Sequence, residues 1–293
     1  MGTSKNQKKA YALTLVVIIF WSTVASAFKI SLQNLNFLHL LLIANFTAII
    51  ALFFILVFNN KFHLIFKYSF KYHSRSMFLG FLNPYLYYIF IFKAYSLLPA
   101  QIAQPLNFTW PVVLTLLSIP LLGQKVSLKS IIAILLSFAG VFFVSAQGKL
   151  IDYKITSPAG MLLAVTSSVI WSFFWISNMK DRRDDEVKLF MNFFCSGIYI
   201  FITCLFLPGF NFELNTSFLA AIYIGLFEMG ITYIFWIKAL QMSGSTDKVT
   251  GYIYITPFLS LVLIHFILNE EIYFTSIIGL ILIVLGIIIL RLR

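Results

Sequence analysis

The sequence predicts an all-α integral membrane protein, with ten transmembrane helices arranged as two inverted five-helix repeats. Three observations support this fold class. Of the 293 residues, 60% are hydrophobic and 11% are charged, whereas a soluble domain carries about 25% charged residues. The apolar residues gather into segments long enough to cross a bilayer as helices. The two halves of the chain also share short motifs in the same order.

The apolar segments can be counted as ten spans of about 17 to 25 residues, the length that a bilayer core requires of a helix. Segment length and the absence of ten-residue alternation favour helices over membrane strands. The predicted spans are Ala10–Phe28, Leu38–Phe58, Met77–Leu97, Ile102–Leu122, Leu128–Ser145, Pro158–Ser177, Val187–Leu207, Ser217–Leu240, Val249–Leu268 and Ile272–Leu290.

The first span has two interpretations. Lysines precede it and Ala25-Ser26-Ala27 near its end is similar to a signal-peptide cleavage site. However, Trp21-Ser22 reappears as Trp171-Ser172 in the sixth span. A removed leader has no reason to be repeated inside the mature protein, so we expect the first span to be retained.

The basic residues predict the orientation. With the N-terminus inside, sixteen lysines and arginines lie on the inner side and three on the outer side. This bias predicts a multi-pass protein of the cell (inner) membrane with both termini cytoplasmic. It also accounts for the net charge of +11, and no basic face with interleaved aromatic residues indicates nucleic-acid binding.

Residues 10–145 and 158–293 form the predicted repeats, with five spans each. Tyr88–Ala94 (YIFIFKA) matches Tyr233–Ala239 (YIFWIKA), and Ser130–Gly140 matches Ser276–Gly286. Because five is odd, the second copy enters the membrane from the opposite side. Such an inverted repeat is typical of secondary transporters.

The fourth and ninth spans carry corresponding polar, proline-broken stretches, Gln101–Lys125 and Asp247–Glu271, with Pro111 aligned on Pro257. A proline frees a backbone carbonyl one turn earlier, which can serve a ligand, a hinge or only a structural kink. These stretches supply three candidate substrate contacts, Asn107, Trp110 and Tyr254, and three candidate hinges, Pro105, Pro111 and Pro257. Trp21, Tyr88 and Trp171 are further candidate substrate contacts, although such aromatic residues can also merely pack.

Glu228 is the carboxylate placed well inside a span. An acidic residue at mid-bilayer is costly and points to a functional site. Glu228 is therefore a candidate for substrate contact and for proton coupling, against the alternative of a structural carboxyl held by a neighbour such as Thr232. Lys93 and Lys238 either extend to the membrane surfaces or contact a substrate carboxylate or a buried acid.

No spacing of histidines predicts a metal site, and no enzyme motif or cofactor fingerprint occurs. We therefore expect no catalytic residue, no metal and no cofactor.

The ten spans, the early Trp-Ser, the prolines of the fourth and ninth spans, and the Gln124/Glu270 correspondence resemble the EamA family of the drug/metabolite transporter superfamily. Within it, Trp21 to Thr23, Asn107 to Pro111, Gly123 to Lys125 and Tyr254 to Pro257 are similar to motifs of aromatic amino acid exporters. The resemblance implies a central cavity and a transporter.

The expected function is secondary-active export of amino acids or similar small metabolites by alternating access. The alternatives are a proton-coupled exporter of multiple drugs or cationic compounds, and an uncoupled facilitator. The expected partners are a small-molecule substrate, the lipid bilayer and, in the coupled alternative, protons. The protein would act as a monomer or homodimer.

Overall fold

The computed structural model describes residues 6–122, 128–148, 157–206, 213–243, 249 and 252–291. Over these residues the chain is helical and contains no strand. Six helical segments among them are long and apolar enough to cross a membrane: Gln7–Ser31, Phe37–Phe58, Phe70–Leu97, Pro158–Asn178, Asp185–Cys204 and Thr216–Met242. Shorter apolar helices cover Ile131–Ser145, Tyr252–Leu268 and Phe274–Ile289. The predicted all-α membrane fold class is confirmed, and the count of ten spans stays a prediction.

The helices are numbered in chain order. They are α1 (Gln7–Ser31), α2 (Phe37–Phe58), α3 (Phe70–Gly80), α4 (Tyr87–Leu97), α5 (Ala100–Asn107), α6 (Trp110–Leu122), α7 (Leu128–Ser145), α8 (Pro158–Met179), α9 (Asp185–Cys204), α10 (Thr216–Ile224), α11 (Ile231–Met242), α12 (Thr256–Leu268) and α13 (Phe274–Arg291). Short 3₁₀ helices cover Phe62–Lys67 and Tyr252–Ile255.

Polar residues define where several helices begin. Asn6, Ser157 and Asn215 each accept a hydrogen bond of 3.1 Å from the backbone N–H three residues ahead. Asn36 accepts one from the N–H of Leu38, and Asp184 accepts one from that of Glu186. These side chains satisfy N–H groups that the first helical turn leaves without partners.

The third and eighth predicted spans are interrupted at corresponding places, the third by a kink and the eighth by a wide helical turn. Phe81–Leu86 joins α3 to α4, and Gly225–Gly230 joins α10 to α11. In the first, Asn83 is extended (φ −151°, ψ 121°) and its peptide bond to Pro84 is cis. A wide turn such as Gly225–Gly230 places an extra residue in the helix and is frequent at functional sites. The helical segment of the third span also begins earlier than predicted, at Phe70 rather than Met77.

The chain divides into two compact units. Unit 1 comprises Met1–Tyr85 and Asp181–Leu263, and unit 2 comprises Leu86–Lys180 and Ile264–Arg293. Inside unit 1, α1 packs against α10 and α11, and α2 packs against α9. Inside unit 2, α8 packs against α4, and α7 packs against α13. Each unit thus combines segments of both sequence halves. The repeat boundaries, 10–145 and 158–293, stay a prediction about the sequence.

Glycines allow α7 and α13 to approach closely in unit 2. A Cβ atom added at Gly140 would lie 2.6 Å from the carbonyl oxygen of Gly279, and one added at Gly286 would lie 2.6 Å from that of Ala133. Real Cβ atoms do not come this close to backbone. Small residues at a helix interface are a usual means of packing helices in membranes, where apolar side chains gain little by leaving lipid.

Candidate functional site

The proline-broken fourth span is two helices in the structure. Helix α5 ends at Asn107, Phe108 and Thr109 form a turn, and α6 begins at Trp110 with Pro111 as its second residue. Proline suits the first turn of a helix, where its missing N–H removes no hydrogen bond. Pro105 lies inside α5 and is buried. The break brings polar side chains and backbone carbonyls together in the interior of unit 2.

Asn107 is the centre of these polar contacts. Its Oδ1 accepts a hydrogen bond of 3.3 Å from the Tyr87 hydroxyl, and its Nδ2 donates one of 2.8 Å to Ser167 Oγ. Thr109 Oγ1 lies 3.2 Å from Ser168 Oγ, one residue further along α8. The cluster contains amide and hydroxyl groups, which can both donate and accept hydrogen bonds. It can therefore bind polar groups of either kind.

Aromatic rings adjoin the cluster of Asn107. The ring centroid of Trp171 lies 4.8 Å from that of Tyr87 and 5.9 Å from that of Trp175. Tyr88 is fully buried, with its ring 5.1 Å from that of Phe92. Trp110 is half-buried, and its backbone carbonyl accepts a hydrogen bond of 2.9 Å from Ser172 Oγ. Thus Asn107, Trp171 and Trp110 share one region of unit 2, and Tyr88 packs in its interior.

Trp21, which corresponds in sequence to Trp171, lies in unit 1. Its ring lies 5.9 Å from that of Trp236 and 6.3 Å from that of Tyr233. The indole Nε1 is buried and has no hydrogen-bond partner among the described residues. Because a buried N–H without a partner is costly, this donor is a candidate contact for a bound molecule. The nearby Thr23 and Tyr223 hydroxyls are 2.6 Å apart.

Glu228 lies in the wide turn Gly225–Gly230 of unit 1 and is half-buried. Thr232, the neighbour expected to hold its carboxyl, instead donates its hydroxyl hydrogen bond to the carbonyl of Phe227. Glu228 is therefore placed where the helix is locally widened rather than on a regular helical face. Wide turns of this kind are often found at functional sites.

Tyr254 and Pro257 flank a second helix start in unit 1. Tyr254 is buried in the 3₁₀ helix Tyr252–Ile255, and Pro257 is the second residue of α12. The carbonyl of Thr256 lies 3.2 Å from Ser22 Oγ. This contact corresponds to the one between Ser172 and the Trp110 carbonyl in unit 2, so each unit joins the serine of its Trp-Ser pair to the residue before the aligned proline.

Glu270 binds the start of α5 in unit 2. Its carboxylate accepts hydrogen bonds from the backbone N–H groups of Ala100 at 3.0 Å and Gln101 at 3.2 Å. A carboxylate at a helix N-terminus satisfies N–H groups that lack helical partners and interacts favourably with the helix dipole. Gln124, the predicted counterpart of Glu270, and the adjoining Lys125 lie outside the described residues.

A buried ion cluster in unit 1 was missed by the sequence reasoning, which used these residues only to count charges. The Arg183 guanidinium lies 2.7 Å from the Asp181 carboxylate, and both side chains are fully buried. Arg183 also donates a hydrogen bond of 2.8 Å to Ser76. The run of charges from Asp181 to Lys188 was the available signal, but its partners come from Lys61, before α3, and from Arg75 and Ser76, in α3.

The cluster continues through Glu186 to two lysines. Lys61 lies 2.8 Å from Asp184 and 3.2 Å from Glu186, and Lys238 lies 3.4 Å from Glu186. Lys238 thus pairs with an acid, while its side chain remains 44% exposed. The cluster joins the ends of α2, α9 and α11 by charge.

The cluster shifts the pKa values of two of its members. Burial opposes ionisation of Asp181, but the hydrogen bonds and charge of Arg183, with Arg75, outweigh it and hold the pKa of Asp181 below its ordinary value. Burial likewise opposes charge on Lys61, but Asp184 and Glu186 hold the pKa of Lys61 above its ordinary value. Both groups are thus kept charged.

Comparison with protein families shows which family has this sequence pattern. Residues 8–146 and 158–292 match the profile of the EamA-like transporter family. The chain is also similar over 97% of its length, and 97% of the other chain, to a protein of known crystal structure, with a TM-score of 0.70. At 19% identity this likeness shows the fold alone.

Individual relatives are more distant. Over 210 residues, 70% of this chain and 68% of the relative, the chain is 26% identical to an uncharacterized transporter, YvbV, of Bacillus subtilis (strain 168). It is 24% identical over 181 residues to the aromatic amino acid exporter YddG of Ancylobacter novellus, a match covering 61% of this chain and 62% of that protein. An uncharacterized transporter of Archaeoglobus fulgidus is 26% identical over 54% of this chain and 56% of its own length. The expected resemblance to the EamA family is confirmed.

Proposed function

Because the chain belongs to the EamA-like transporter family and is a multi-pass membrane transporter, we propose that it is a secondary-active carrier. It exports amino acids or similar small metabolites by alternating access, with a pair of inverted repeats supplying the two conformations. Both termini face the cytoplasm of a cell (inner) membrane, and the working form is a monomer or homodimer. As a membrane transporter of this family, the chain lies in a lipid bilayer and binds a small-molecule substrate.

The observation that carries the proposal is the duplicated helix break with its matched serine contact. In each unit a helix begins one residue before an aligned proline, at Trp110 and at Thr256, and a Trp-Ser serine of another helix lies against that carbonyl. Helices interrupted at corresponding places in two halves are typical of the substrate region of secondary transporters. Pro105, Pro111 and Pro257 are the proposed hinges: Pro111 and Pro257 lie at the starts of α6 and α12, and Pro105 lies inside α5, just before the break.

The substrate class follows from the residues near the break. Asn107, Tyr87 and Ser167 supply neutral donors and acceptors, and Trp171 adds an aromatic surface. Such a set suits an amphipathic molecule with a polar end and an apolar or aromatic end. This supports amino acid export, and the relative named as an aromatic amino acid exporter supports it further. We propose substrate contacts at Asn107, Trp110, Tyr254, Trp171, Glu228, Trp21 and Tyr88.

Counterflow of radiolabelled phenylalanine, tryptophan and tyrosine in proteoliposomes tests the carrier. A carrier shows stimulated uptake when unlabelled substrate is inside, whereas an uncoupled facilitator does not. In Asn107→Ala, uptake should fall by about tenfold, as expected for loss of one polar contact of roughly 1 to 1.5 kcal/mol. Gln33→Ala, an exposed amide in the same protein, is the control. Counterflow of none of these amino acids would remove this substrate class.

Substitution of Glu228 tests whether transport is coupled to protons. A carboxyl in a widened helical turn of a span is a candidate proton site. If Glu228 couples transport to protons, Glu228→Gln abolishes uptake driven by a pH gradient and spares counterflow, while exposed Glu213→Gln changes neither. Gradient-driven uptake that survives Glu228→Gln would exclude this role. Uptake of cationic dyes in place of amino acids would favour the multidrug alternative.

A further inference from the structure

Unit 1 carries an apolar groove whose lining includes none of the proposed substrate contacts or hinges. It has a volume of about 610 Å³ and lies between α2, α9 and the 3₁₀ helix Phe62–Lys67. Ile50 and Phe54 of α2 line it with Phe190 and Phe194 of α9, and the 3₁₀ helix adds Phe62 and Ile65. Ile50, Phe54 and Phe194 remain 42%, 50% and 48% exposed, so the groove is open to its surroundings. Because α2 and α9 are both long and apolar enough to cross a membrane, lipid can reach the groove.

The lining excludes the transported substrate as the occupant. Every residue that lines the groove has a hydrocarbon, aromatic or thioether side chain. A zwitterionic molecule placed there would leave its charges without partners, which is strongly unfavourable. A hydrocarbon chain has no such cost, and grooves of this size commonly hold ligands.

The segment that forms one wall of the groove is strongly basic. Between α2 and the middle of α3 it carries Lys61, Lys67, Lys71 and Arg75, with no acidic residue from position 59 to position 80. Two of these cations are balanced within unit 1. Lys61 lies 2.8 Å from Asp184, and Arg75 lies 3.8 Å from Asp181.

The other two cations are exposed. Lys67 ends the 3₁₀ helix whose Phe62 and Ile65 line the groove, and Lys71 lies in the first turn of α3. Within the part of the chain that the structure describes, neither lysine forms an ion pair. A hydrophobic groove therefore adjoins two unbalanced positive charges at one end of α2.

We propose that this groove binds an anionic phospholipid, with an acyl chain lying along Phe54 and Phe194 and the phosphate group at Lys67 and Lys71. Basic residues next to a membrane span attract anionic headgroups, and the groove supplies the apolar complement that a soluble anion could not use. The lipid contacts α2, the 3₁₀ helix and α9 together and so stabilises unit 1. The site is separate from the helix breaks and does not depend on the transported substrate.

Native mass spectrometry of the purified full-length protein tests the site. Phosphatidylglycerol and phosphatidylcholine with identical acyl chains are titrated separately, with glycerophosphoglycerol and inorganic phosphate as headgroup-only probes. Phosphatidylglycerol should bind more tightly than phosphatidylcholine, and the headgroup probes should not bind. The double variant Lys67→Gln, Lys71→Gln should weaken phosphatidylglycerol by about 20- to 30-fold, from roughly 1 kcal/mol for each lysine. Lys8→Gln, Lys9→Gln, which removes two exposed lysines of α1, should not.

A second pair of variants tests the groove itself. Ile50→Trp fills it and should weaken both phospholipids, whereas Ile19→Trp, at a comparably exposed residue of α1, should weaken neither. Several outcomes would overturn the proposal: equal binding of the two phospholipids by the unsubstituted protein, no effect of the Lys67/Lys71 variant, or binding of the headgroup probes alone. A dimer that Ile50→Trp dissociates would show instead that a second copy occupies the groove.

Discussion

Units 1 and 2 are built from equivalent helix pairs but have different polar interiors. In each, the helix that carries the Trp-Ser pair packs against a helix of the opposite sequence half, and its serine lies against the carbonyl before an aligned proline. Unit 1 adds buried ions, with Asp181 and Arg183 fully enclosed. The centre of unit 2 around Asn107 is neutral. One scaffold thus supports a charged cluster in one unit and an uncharged hydrogen-bonding cluster in the other.

Because of this difference, we expect the charged cluster of unit 1 to affect stability and the neutral cluster of unit 2 to affect binding. A buried ion pair is sensitive to the loss of either partner, because the remaining charge is left without compensation. Neutral amide and hydroxyl groups tolerate an exchange of partners, since each can donate to or accept from a ligand. We therefore expect substitutions in the ion cluster to affect folding most and substitutions around Asn107 to affect transport most.

The largest effect is expected from Arg183→Met. It leaves the buried Asp181 carboxylate without its partner and should lower the free energy of unfolding by about 3 to 5 kcal/mol. Thermal unfolding in detergent measures the change. The exposed neighbour Arg182→Met is the matched control. The double variant Asp181→Asn, Arg183→Met should recover part of the loss, and a double variant less stable than the single one would contradict the uncompensated charge as the cause.

A smaller effect is expected where unit 2 depends on close backbone packing. Gly140→Ala places a methyl group 2.6 Å from the Gly279 carbonyl and should cost about 1 to 3 kcal/mol through overpacking. At Gly197 in unit 1 the added methyl group meets side-chain atoms rather than backbone, Ile49 Cδ1 at 3.1 Å and Asn45 Nδ2 at 3.2 Å, so Gly197→Ala should cost less stability than Gly140→Ala. Equal melting temperatures of the two variants would show that the α7–α13 contact can separate without cost.

The ion cluster should also make stability depend on pH. Because the pKa of Asp181 is lower in the folded protein, its contribution is present above the unfolded pKa of about 3.9 and is lost as the pH falls through the folded value. Because the pKa of Lys61 is raised, its contribution is present below about 10.4 and is lost as the pH rises through the folded value. Melting temperature measured from pH 3 to 11 should fall at both ends. In Lys61→Gln the alkaline fall should shrink and the acid fall should remain.

The smallest effects are expected at the matched serines. Ser22→Ala and Ser172→Ala each remove one hydroxyl that also faces the carbonyl four residues earlier, at 2.6 and 2.7 Å. Each should therefore cost only about 0.5 to 1 kcal/mol. Similar shifts in melting temperature would support equivalent contacts in the two units. A shift at one serine alone would show that the equivalence is geometric and not energetic.

The sequence was sufficient for the fold class because membrane spans are specified locally, by length and hydrophobicity. It also located the helix breaks, since a proline acts on its own helix. It did not reveal that Asn107 bonds to Tyr87 and Ser167 or that Arg183 bonds to Ser76, because these partners come from other helices. Lys238 shows the same limit, because its partner Glu186 belongs to another helix and cannot be identified from the span that carries Lys238.

The kink at Phe81–Leu86, where Asn83 leaves the helix, and the wide turn at Gly225–Gly230 lie within one residue of each other when the two YIF motifs are superimposed. A regular helix turns by about 100° at each residue, so an extra or non-helical residue shifts the direction of every side chain that follows it. Side-chain directions inferred along either span with a constant helical period therefore hold on one side of the irregular segment and not on the other. A substitution series that scans the faces of these spans must treat the residues before and after that segment separately.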